Sequence, residues 1–167
     1  GAPVDLDWPS YAAGRTRGAP WFLLSAKLVA RAGFRIAIDG WNGPDAQVRG
    51  GIAALGIASD PAADLSYQPL ETHSPALFDL LALRAKLGLR ACVNTVCRMV
   101  NPGRATASVQ GVFHPSYRLL QADAAGLLGW QALSVIKGGG GEFEVNASKP
   151  VTGVGLRHGA AWEAVLP

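Results

Sequence analysis

Strand-like and helix-like segments alternate along most of this 167-residue chain, and that alternation limits the folds it can adopt. Residues 132–137 form a short apolar run of the kind found in buried strands, whereas residues 21–32 are apolar over the length of a helix. Strands that alternate with helices of about 10–15 residues are typical of an α/β domain with a mainly parallel sheet flanked by helices. We therefore predict a single α/β domain over residues 1–167.

The pattern also places the individual elements. Strands are predicted at residues 4–8, 34–38, 65–70, 105–113 and 132–137. Helices are predicted at residues 21–32, 44–55, 74–87 and 117–128. Two further short strands are expected within residues 151–165, around a hairpin turn at Arg157-His158-Gly159. Residues 91–100 are ambiguous between strand and helix.

Three loops are candidates for ligand binding, because ligands of parallel sheets bind beyond the carboxyl ends of the strands. These loops are residues 9–18, 39–43 and 138–144, and none of them matches a P-loop or a dinucleotide-binding fingerprint. Their glycines fit either tight turns or the close approach of backbone N–H groups to a phosphate. Four consecutive glycines at 138–141 favour the phosphate interpretation, because ordering them costs more backbone entropy than a bare turn requires.

Two carboxylates, Glu142 and Glu144, directly follow the glycine run. In a strand, residues two apart face the same side, so the pair would be able to hold a divalent cation that bridges diphosphate oxygens. The alternative is that both carboxylates belong to a solvated edge.

The charge of the chain is unevenly distributed. The net charge of +3 combines a stretch between Asp79 and Asp123 that has six basic and no acidic residues with a remainder whose net charge is −3. The basic residues of the stretch are Arg84, Lys86, Arg90, Arg98, Arg104 and Arg118. Such a concentration suits the phosphates of a sugar diphosphate or of a nucleic acid, and the alternative is a solvated helix face.

Composition excludes several classes of protein. With 49% hydrophobic and 16% charged residues, the chain has the makeup of a core-forming domain rather than a disordered one. The sequence has no apolar run of the ~18–20 residues that a membrane span needs. Cys92 and Cys97 are too few for a disulfide framework, which predicts a reducing, cytoplasmic compartment. The three histidines are scattered, and the sequence displays no nucleophile–base pair.

Residues 84–102 resemble a known signature. Arg84-Ala85-Lys86-Leu87-Gly88-Leu89-Arg90, then Asn94 and Asn101-Pro102, is similar to the Arg-x-x-Leu-Gly-x-Arg…Asn-Pro pattern of the anthranilate phosphoribosyltransferases, glycosyltransferase family 3. Ile38-Asp39-Gly40-Trp41-Asn42 stands where that family has His-Gly-Asn, and residues 136–144 stand where it has Gly-x-x-Gly-Leu-Asp-Glu. The resemblance extends over nearly the whole chain.

The resemblance implies a phosphoribosyltransferase fold and glycosyl transfer from a phosphoribosyl diphosphate with Mg²⁺, bound between residues 138–144 and 39–43. Arg84 would orient an aromatic acceptor. The implied phosphate- and substrate-binding residues are Asp39, Gly40, Asn42, Arg84, Arg90, Gly138, Gly139, Gly140 and Gly141. The implied metal ligands are Glu142 and Glu144.

Several departures from the family pattern predict a degenerate sugar-diphosphate site. The family's Gly-Thr-Gly-Gly-Asp loop is replaced by residues 7–14, Asp-Trp-Pro-Ser-Tyr-Ala-Ala-Gly. Asp39 replaces the histidine of His-Gly-Asn and brings negative charge where a phosphate would bind. Cys97-Arg98-Met99 replaces a Gly-Pro-Leu segment, and Phe143-Glu144 replaces the Asp-Glu metal pair. No catalytic residue is assigned.

The departures resemble a divergent branch of the family, the YbiB-like proteins. The similar segments are Pro9-Ser10-Tyr11, Gly14-Arg15, Leu70-Glu71, Ser74-Pro75, residues 95–102, residues 141–144 and Asn146. This resemblance implies an alternative function, sequence-independent nucleic-acid binding by a homodimer, through Arg84, Lys86, Arg90, Arg98 and Arg104. The family's helical dimerisation domain has no counterpart here, so we expect the chain to be the α/β domain alone.

Overall fold

The fold is organised around one mixed sheet. The computed structural model describes residues 3–12, 18–43, 46–88, 92–145 and 148–166. In these segments, seven strands pair in the order β3-β2-β1-β4-β5-β6-β7. The strands are β1 (Leu6–Ser10), β2 (Ile36–Gly40), β3 (Leu65–Pro69), β4 (Ala107–Val112), β5 (Ala132–Lys137), β6 (Val151–Arg157) and β7 (Ala160–Leu166). The strands β1 to β5 are parallel, whereas β6 and β7 are antiparallel additions at one edge. The predicted α/β fold is confirmed.

Helices connect the parallel strands. They are α1 (Trp21–Arg31), α2 (Gln47–Ala54), α3 (Leu70–His73), α4 (Pro75–Leu87), α5 (Val93–Val96) and α6 (Tyr117–Leu127). Pro75 opens α4, where its missing N–H costs nothing, and α4 ends at Gly88 in the left-handed conformation with φ of 67°. The ambiguous segment 91–100 is helical from Val93, because α5 continues into a 3-10 turn at Cys97–Met99. The predicted helix at 44–55 begins later, at Gln47, and Pro44 lies outside the described residues.

The predicted strand at 4–8 is shifted along the chain, because β1 spans Leu6–Ser10 and includes a proline. Its pairing with β4 is limited to Leu6 and Asp7, while its pairing with β2 continues to Ser10. Pro9 therefore lies where the ladder toward β4 has ended, a position that tolerates a residue without an N–H donor. Beyond Asp7, the main chains of β1 and β4 are not bonded to each other by the sheet ladder.

Three buried clusters form the core. The first packs α1 and α2 against β1 to β3, with Trp8, Phe22 and Ile38 nearly inaccessible to solvent. The second packs α6 against β4 to β6 through residues such as Ala125 and Val135. Each fully buried large apolar side chain stabilises such a core by about 1.5–3 kcal/mol. The third cluster joins side chains that follow the sheet at its carboxyl edge to those of α4 and the 3-10 turn: Tyr11, Leu70, Leu81 and Cys97.

No helix within the described segments is both long enough and apolar enough to cross a bilayer. Both cysteines are free thiols, with Cys92 exposed and Cys97 buried. The predicted hairpin is confirmed, because β6 and β7 pair antiparallel across His158 and Gly159. Both turn residues have positive φ values, 53° and 75°.

Close packing at the β5–β6 pair requires a glycine at position 155. A Cβ atom there would lie 1.9 Å from the carbonyl oxygen of Leu133, which also accepts a 3.2 Å hydrogen bond from the Trp162 indole N–H. We expect Gly155→Ala to lower the free energy of unfolding by about 2–3 kcal/mol, because the strands must separate to admit the methyl group. Urea unfolding followed by circular dichroism measures this change.

Gly126→Ala is the matched control, since its Cβ would meet nothing within 4 Å near the end of α6. Alanine is the better helix former, so the control is expected to be neutral or stabilising by up to about 1 kcal/mol. Equal destabilisation by the two substitutions would contradict the packing argument.

Candidate functional site

The loops that follow β1, β2 and β5 meet at the carboxyl edge of the sheet, as their strand positions predict. Asn42, after β2, donates from Nδ2 to the main-chain oxygen of Ser10 at 3.3 Å and to Ser10 Oγ at 3.4 Å. The Ser10 hydroxyl in turn donates to Glu142 Oε1 at 3.0 Å. The end of β1 and the loops that follow β2 and β5 are therefore hydrogen-bonded in series at this edge.

Glu142 is the central member of this group and is fully buried. Its Oε1 atom accepts two hydrogen bonds of 3.0 Å, from the Ser10 hydroxyl and from the main-chain N–H of Ala12. Both donors belong to the end of β1 and the loop that follows it. Donors of this kind can bind an anion, and here the anion that they bind is the carboxylate of Glu142.

The main chain of Glu142 is packed as tightly as its side chain. A Cβ at Gly111 would lie 2.0 Å from the Glu142 carbonyl carbon, and a Cβ at Gly138 would lie 1.5 Å from the carbonyl oxygen. Gly140 and Gly141 adopt positive φ values of 64° and 92° within a 3-10 turn. At least three of the four consecutive glycines therefore have a structural reason to be glycine.

Arg98 is buried beside this network, with 7% of its surface exposed. Its Nε donates to the main-chain oxygen of Gly111 at 3.1 Å, and its Nη1 donates to the main-chain oxygen and to Oδ1 of Asn94, at 2.8 and 3.1 Å. Burial lowers the pKa of the guanidinium, while the neighbouring Glu142 carboxylate opposes that shift. The Arg98 side chain is committed to the interior in this structure, and its contact with nucleic acid stays a prediction from sequence.

Asp39 lies beneath the edge rather than in it. It is fully buried and accepts a 2.7 Å hydrogen bond from the Tyr11 hydroxyl. Gly40 and Asn42 are also buried, and a Cβ at Gly40 would lie 2.1 Å from the Ser10 carbonyl oxygen. In this structure these three residues support the loop that follows β1, and their contact with a substrate stays a prediction from sequence.

A second buried carboxyl, Asp7, lies close enough to Asp39 to feel its charge. Burial raises the pKa of both groups above the ordinary aspartate value of 3.8, and the charge of Asp39 raises that of Asp7 further. Ser108 Oγ donates to Asp7 Oδ2 at 2.8 Å. Among the described residues, the Oδ1 atoms of Asp7 and Asp39 accept no hydrogen bond. Both carboxyls therefore favour the protonated form in the folded chain, because burial opposes their charge.

The other predicted basic residues are spread apart. Arg84 is half-buried and Lys86 is exposed, both near the end of α4. Arg104 is exposed at the opposite edge, just before β4, next to Gly103, whose Cβ position contacts Val4. Arg90 lies outside the described residues. The basic stretch of the sequence is therefore not one continuous surface in the described part of the fold.

A cavity of about 470 Å³ opens at the carboxyl end of β5, beside the glycine turn. Lys137, Arg118 and Lys149 line it, and none of the described lining residues is acidic. Arg118 Nη1 donates to the main-chain oxygen of Thr152, which fixes the guanidinium at the cavity wall. The described lining residues are Pro115, Arg118, Lys137, Gly138, Gly139, Gly140, Lys149, Pro150, Val151 and Thr152.

Lys137 and Lys149 were not identified from the sequence, because both lie outside the stretch without acidic residues. Lys137 directly precedes the four glycines, and its position next to a candidate phosphate-binding loop is the feature of the sequence that could have identified it.

The two predicted metal ligands do not converge. Glu144 Oε1 accepts a 3.1 Å hydrogen bond from the Phe22 main-chain N–H in the first turn of α1, where a carboxylate stabilises the helix. Glu142 instead faces hydroxyl and amide donors, which suit an anion and not a cation. The described residues contain no cluster of three or more His, Cys, Asp or Glu side chains placed for a metal ion. In this arrangement, Glu142 and Glu144 do not fit a Mg²⁺ site.

Comparison with known proteins identifies the relatives of this chain. An anthranilate phosphoribosyltransferase of Sorangium cellulosum (strain So ce56) is 29% identical over 153 residues, which cover 84% of this chain and 44% of that protein. The anthranilate phosphoribosyltransferase of Burkholderia orbicola (strain MC0-3) is 28% identical over 148 residues, 81% of this chain and 43% of that protein. The chain is homologous to the anthranilate phosphoribosyltransferases. No protein-family model matches it.

Solved structures of anthranilate phosphoribosyltransferases have the same fold. The Thermus thermophilus enzyme superposes with a TM-score of 0.71 at 23% identity, over 98% of this chain and 54% of that one. The Saccharomyces cerevisiae enzyme, solved in complex with PRPP (phosphoribosyl diphosphate) and Mg, gives a TM-score of 0.70 at 18% identity, over 98% and 48%. The chain spans less than half the length of the curated relatives that it matches.

The buried Asp7–Asp39 pair generates a pH-dependent prediction. The folded chain keeps a proton on the pair at pH values where the unfolded chain has lost it, so the pair lowers the free energy of unfolding as pH rises above 3.8. Asn at position 7 would accept from Ser108 and donate to Asp39, as a protonated aspartate does. As pH rises, we expect the free energy of unfolding of Asp7→Asn to increase relative to that of wild type, by up to about 1.4 kcal/mol per pH unit.

Urea unfolding of both proteins at pH 5, 6 and 7 measures that difference. Asp123→Asn, on the exposed face of α6, is the surface control and should give a pH-independent difference. A difference between Asp7→Asn and wild type that stays constant over this range would contradict the raised pKa of the pair.

Proposed function

We propose that the domain binds a phosphorylated sugar at the carboxyl edge of its sheet, as a phosphoribosyltransferase-like protein with a degenerate diphosphate site. The observation that carries the proposal is the cavity beside the glycine turn, lined by Lys137, Arg118 and Lys149. Its position beyond the carboxyl end of a parallel strand is where α/β folds bind their ligands.

The charges of the cavity support an anionic ligand. Three cationic side chains converge on it, and none of its described lining residues is acidic. Charged donors bind phosphate oxygens more strongly than neutral donors do, and Arg118 is already oriented by Thr152. Lys137 and Lys149 are exposed, so solvent screens their contribution. The volume of about 470 Å³ is in the range of small-molecule sites.

Glycosyl transfer is the reaction that the homology supports. Catalysis in such a site comes from positioning and from stabilising positive charge on an oxocarbenium-like sugar. Arg84 is half-buried at the end of α4, and an aromatic acceptor beside it is the role implied by the family signature. The standard anthranilate reaction is not proposed, because the donors of the loop after β1 are bonded to Glu142.

Magnesium would enter this site with a diphosphate ligand rather than through Glu142 and Glu144, whose carboxylates accept hydrogen bonds elsewhere. The yeast homologue solved with PRPP and Mg supports testing the two together. A homodimer of a longer protein, a cytoplasmic location and membership of the YbiB-like branch stay predictions from sequence.

Ligand binding can be tested by calorimetry with phosphoribosyl diphosphate, with and without Mg²⁺. We expect binding by the wild type and about fivefold weaker binding by Lys137→Gln and by Lys149→Gln, because each removes one screened charge from the cavity. Lys27→Gln is the control, since Lys27 donates to the main-chain oxygen of Leu55 in another part of the fold. No heat at millimolar ligand, or equal affinities for all variants, would overturn the proposal.

Nucleic-acid binding is the second candidate function. Two basic residues near the end of α4 favour nucleic-acid binding: Lys86, which is exposed, and Arg84, which is half-buried. Both belong to the stretch of sequence that has no acidic residues. Fewer basic residues are available to contact nucleic acid than the sequence predicts. Arg98 is buried, and Arg104 lies at the opposite edge of the sheet.

Binding of fluorescent duplex DNA at several salt concentrations tests this candidate. The logarithm of the binding constant should fall with the logarithm of salt, by about 0.9 for each phosphate contact. The double variant Arg84→Gln/Lys86→Gln should flatten the slope by about two contacts, while Arg104→Gln should leave it unchanged. A salt response near zero in the wild type would exclude the candidate.

A further inference from the structure

We propose that the Glu142 carboxylate permanently occupies the anion-binding position of the loop after β1, and so leaves this domain with donors for only one phosphate group of its ligand. The inference deepens the proposed function, on which its statement about ligands rests. Its first step, that Ser10 and Ala12 form an anion site filled by the protein itself, stands on geometry alone.

The donors have the arrangement that a phosphate oxygen requires. One hydroxyl and one main-chain N–H approach the same oxygen atom, each at 3.0 Å, in a position with no solvent exposure. The Asn42 side chain donates to Ser10 Oγ, which leaves the hydroxyl proton directed at Glu142. Paired hydroxyl and amide donors of this kind bind phosphates in many loops that follow a strand.

Contacts other than those with Glu142 also hold the segment that carries these donors in place. Asn94 Nδ2 donates to the Tyr11 main-chain oxygen at 3.1 Å, and the Tyr11 hydroxyl donates to Asp39. Arg98 adds a buried positive charge, and the charge of Glu142 raises the pKa of its guanidinium. A preorganised pocket with positive charge and directed donors favours an anion of any source.

The main chain of Glu142 cannot move aside easily. It packs directly on Gly111 and Gly138, with no room for even one methyl group at either position. Gly138 also lines the cationic cavity, so Glu142 stands between that cavity and the donors of Ser10 and Ala12. One phosphate in the cavity is therefore separated from the place where a second phosphate would bind.

Removal of the carboxylate is the direct test. Glu142→Ala should leave an empty anion site, and sodium acetate should refill it. We expect the melting temperature of the variant to rise by about 3–6 °C when acetate exceeds its dissociation constant tenfold. Orthophosphate should act in the same way. Wild type in acetate, and the variant in equimolar sodium chloride, should change by less than about 1 °C.

Matched variants separate an anion site from general stabilisation. Leu133→Ala opens a buried apolar space without donors and should not respond to acetate. Glu142→Gln keeps the shape and an acceptor oxygen and should not respond either, whereas Ser10→Ala/Glu142→Ala should lose most of the response. If Glu142→Ala is unfolded in buffer, the same acetate titration is followed as refolding by circular dichroism. Absence of any acetate-specific effect overturns the inference.

A second measurement tests the consequence for ligands. Wild type should bind ribose 5-phosphate and phosphoribosyl diphosphate with affinities that differ by less than about threefold, because the additional diphosphate group gains no donors. A diphosphate preference above about tenfold overturns the restriction to one phosphate. Failure of both ligands to bind, together with a positive acetate result, would contradict the proposed function and leave the filled anion site established.

Discussion

The hydrogen bonds from Ser10 and Ala12 to Glu142 close a gap in the sheet on which the whole carboxyl edge depends. The ladder between β1 and β4 ends at Asp7, so the two strands are not paired where the loops begin. Two buried side chains fill the opening: Glu142 accepts from the β1 side, and Arg98 donates to Gly111 on the β4 side. Buried main-chain groups need such partners once the ladder is interrupted.

Filling that gap with charge has an energetic cost. Arg98, Glu142 and the aspartates Asp7 and Asp39 are all buried in this part of the domain. Buried charged groups of this kind contribute little more to the stability of a fold than well-packed apolar residues of similar volume would. Breaking one member of a buried pair is nevertheless costly, by about 3–5 kcal/mol, because the partner stays buried. The arrangement therefore specifies one geometry for the loops more than it adds stability.

Sequence reasoning predicted the elements better than the environment of their residues. The run at 132–137 matches β5, and the loops after β2 and β5 do meet the end of β1, because alternation and strand polarity determine both. Charge counting could not separate buried Arg98 from exposed Lys86, since both sit in the same acid-free stretch. Lys149 joins the cavity only through the fold, because the antiparallel strand β6 returns beside β5.

The fold and the local chemistry together locate the accessible charge at the carboxyl edge. The fold is that of solved anthranilate phosphoribosyltransferases, and in this chain the donors after β1 serve an internal carboxylate. The accessible positive charge instead surrounds the end of β5, where Lys137, Arg118 and Lys149 are not opposed by an acidic lining residue among those described. An anionic ligand binds most strongly where positive charge is not neutralised, so the end of β5, rather than the loop after β1, is the position that we propose for it.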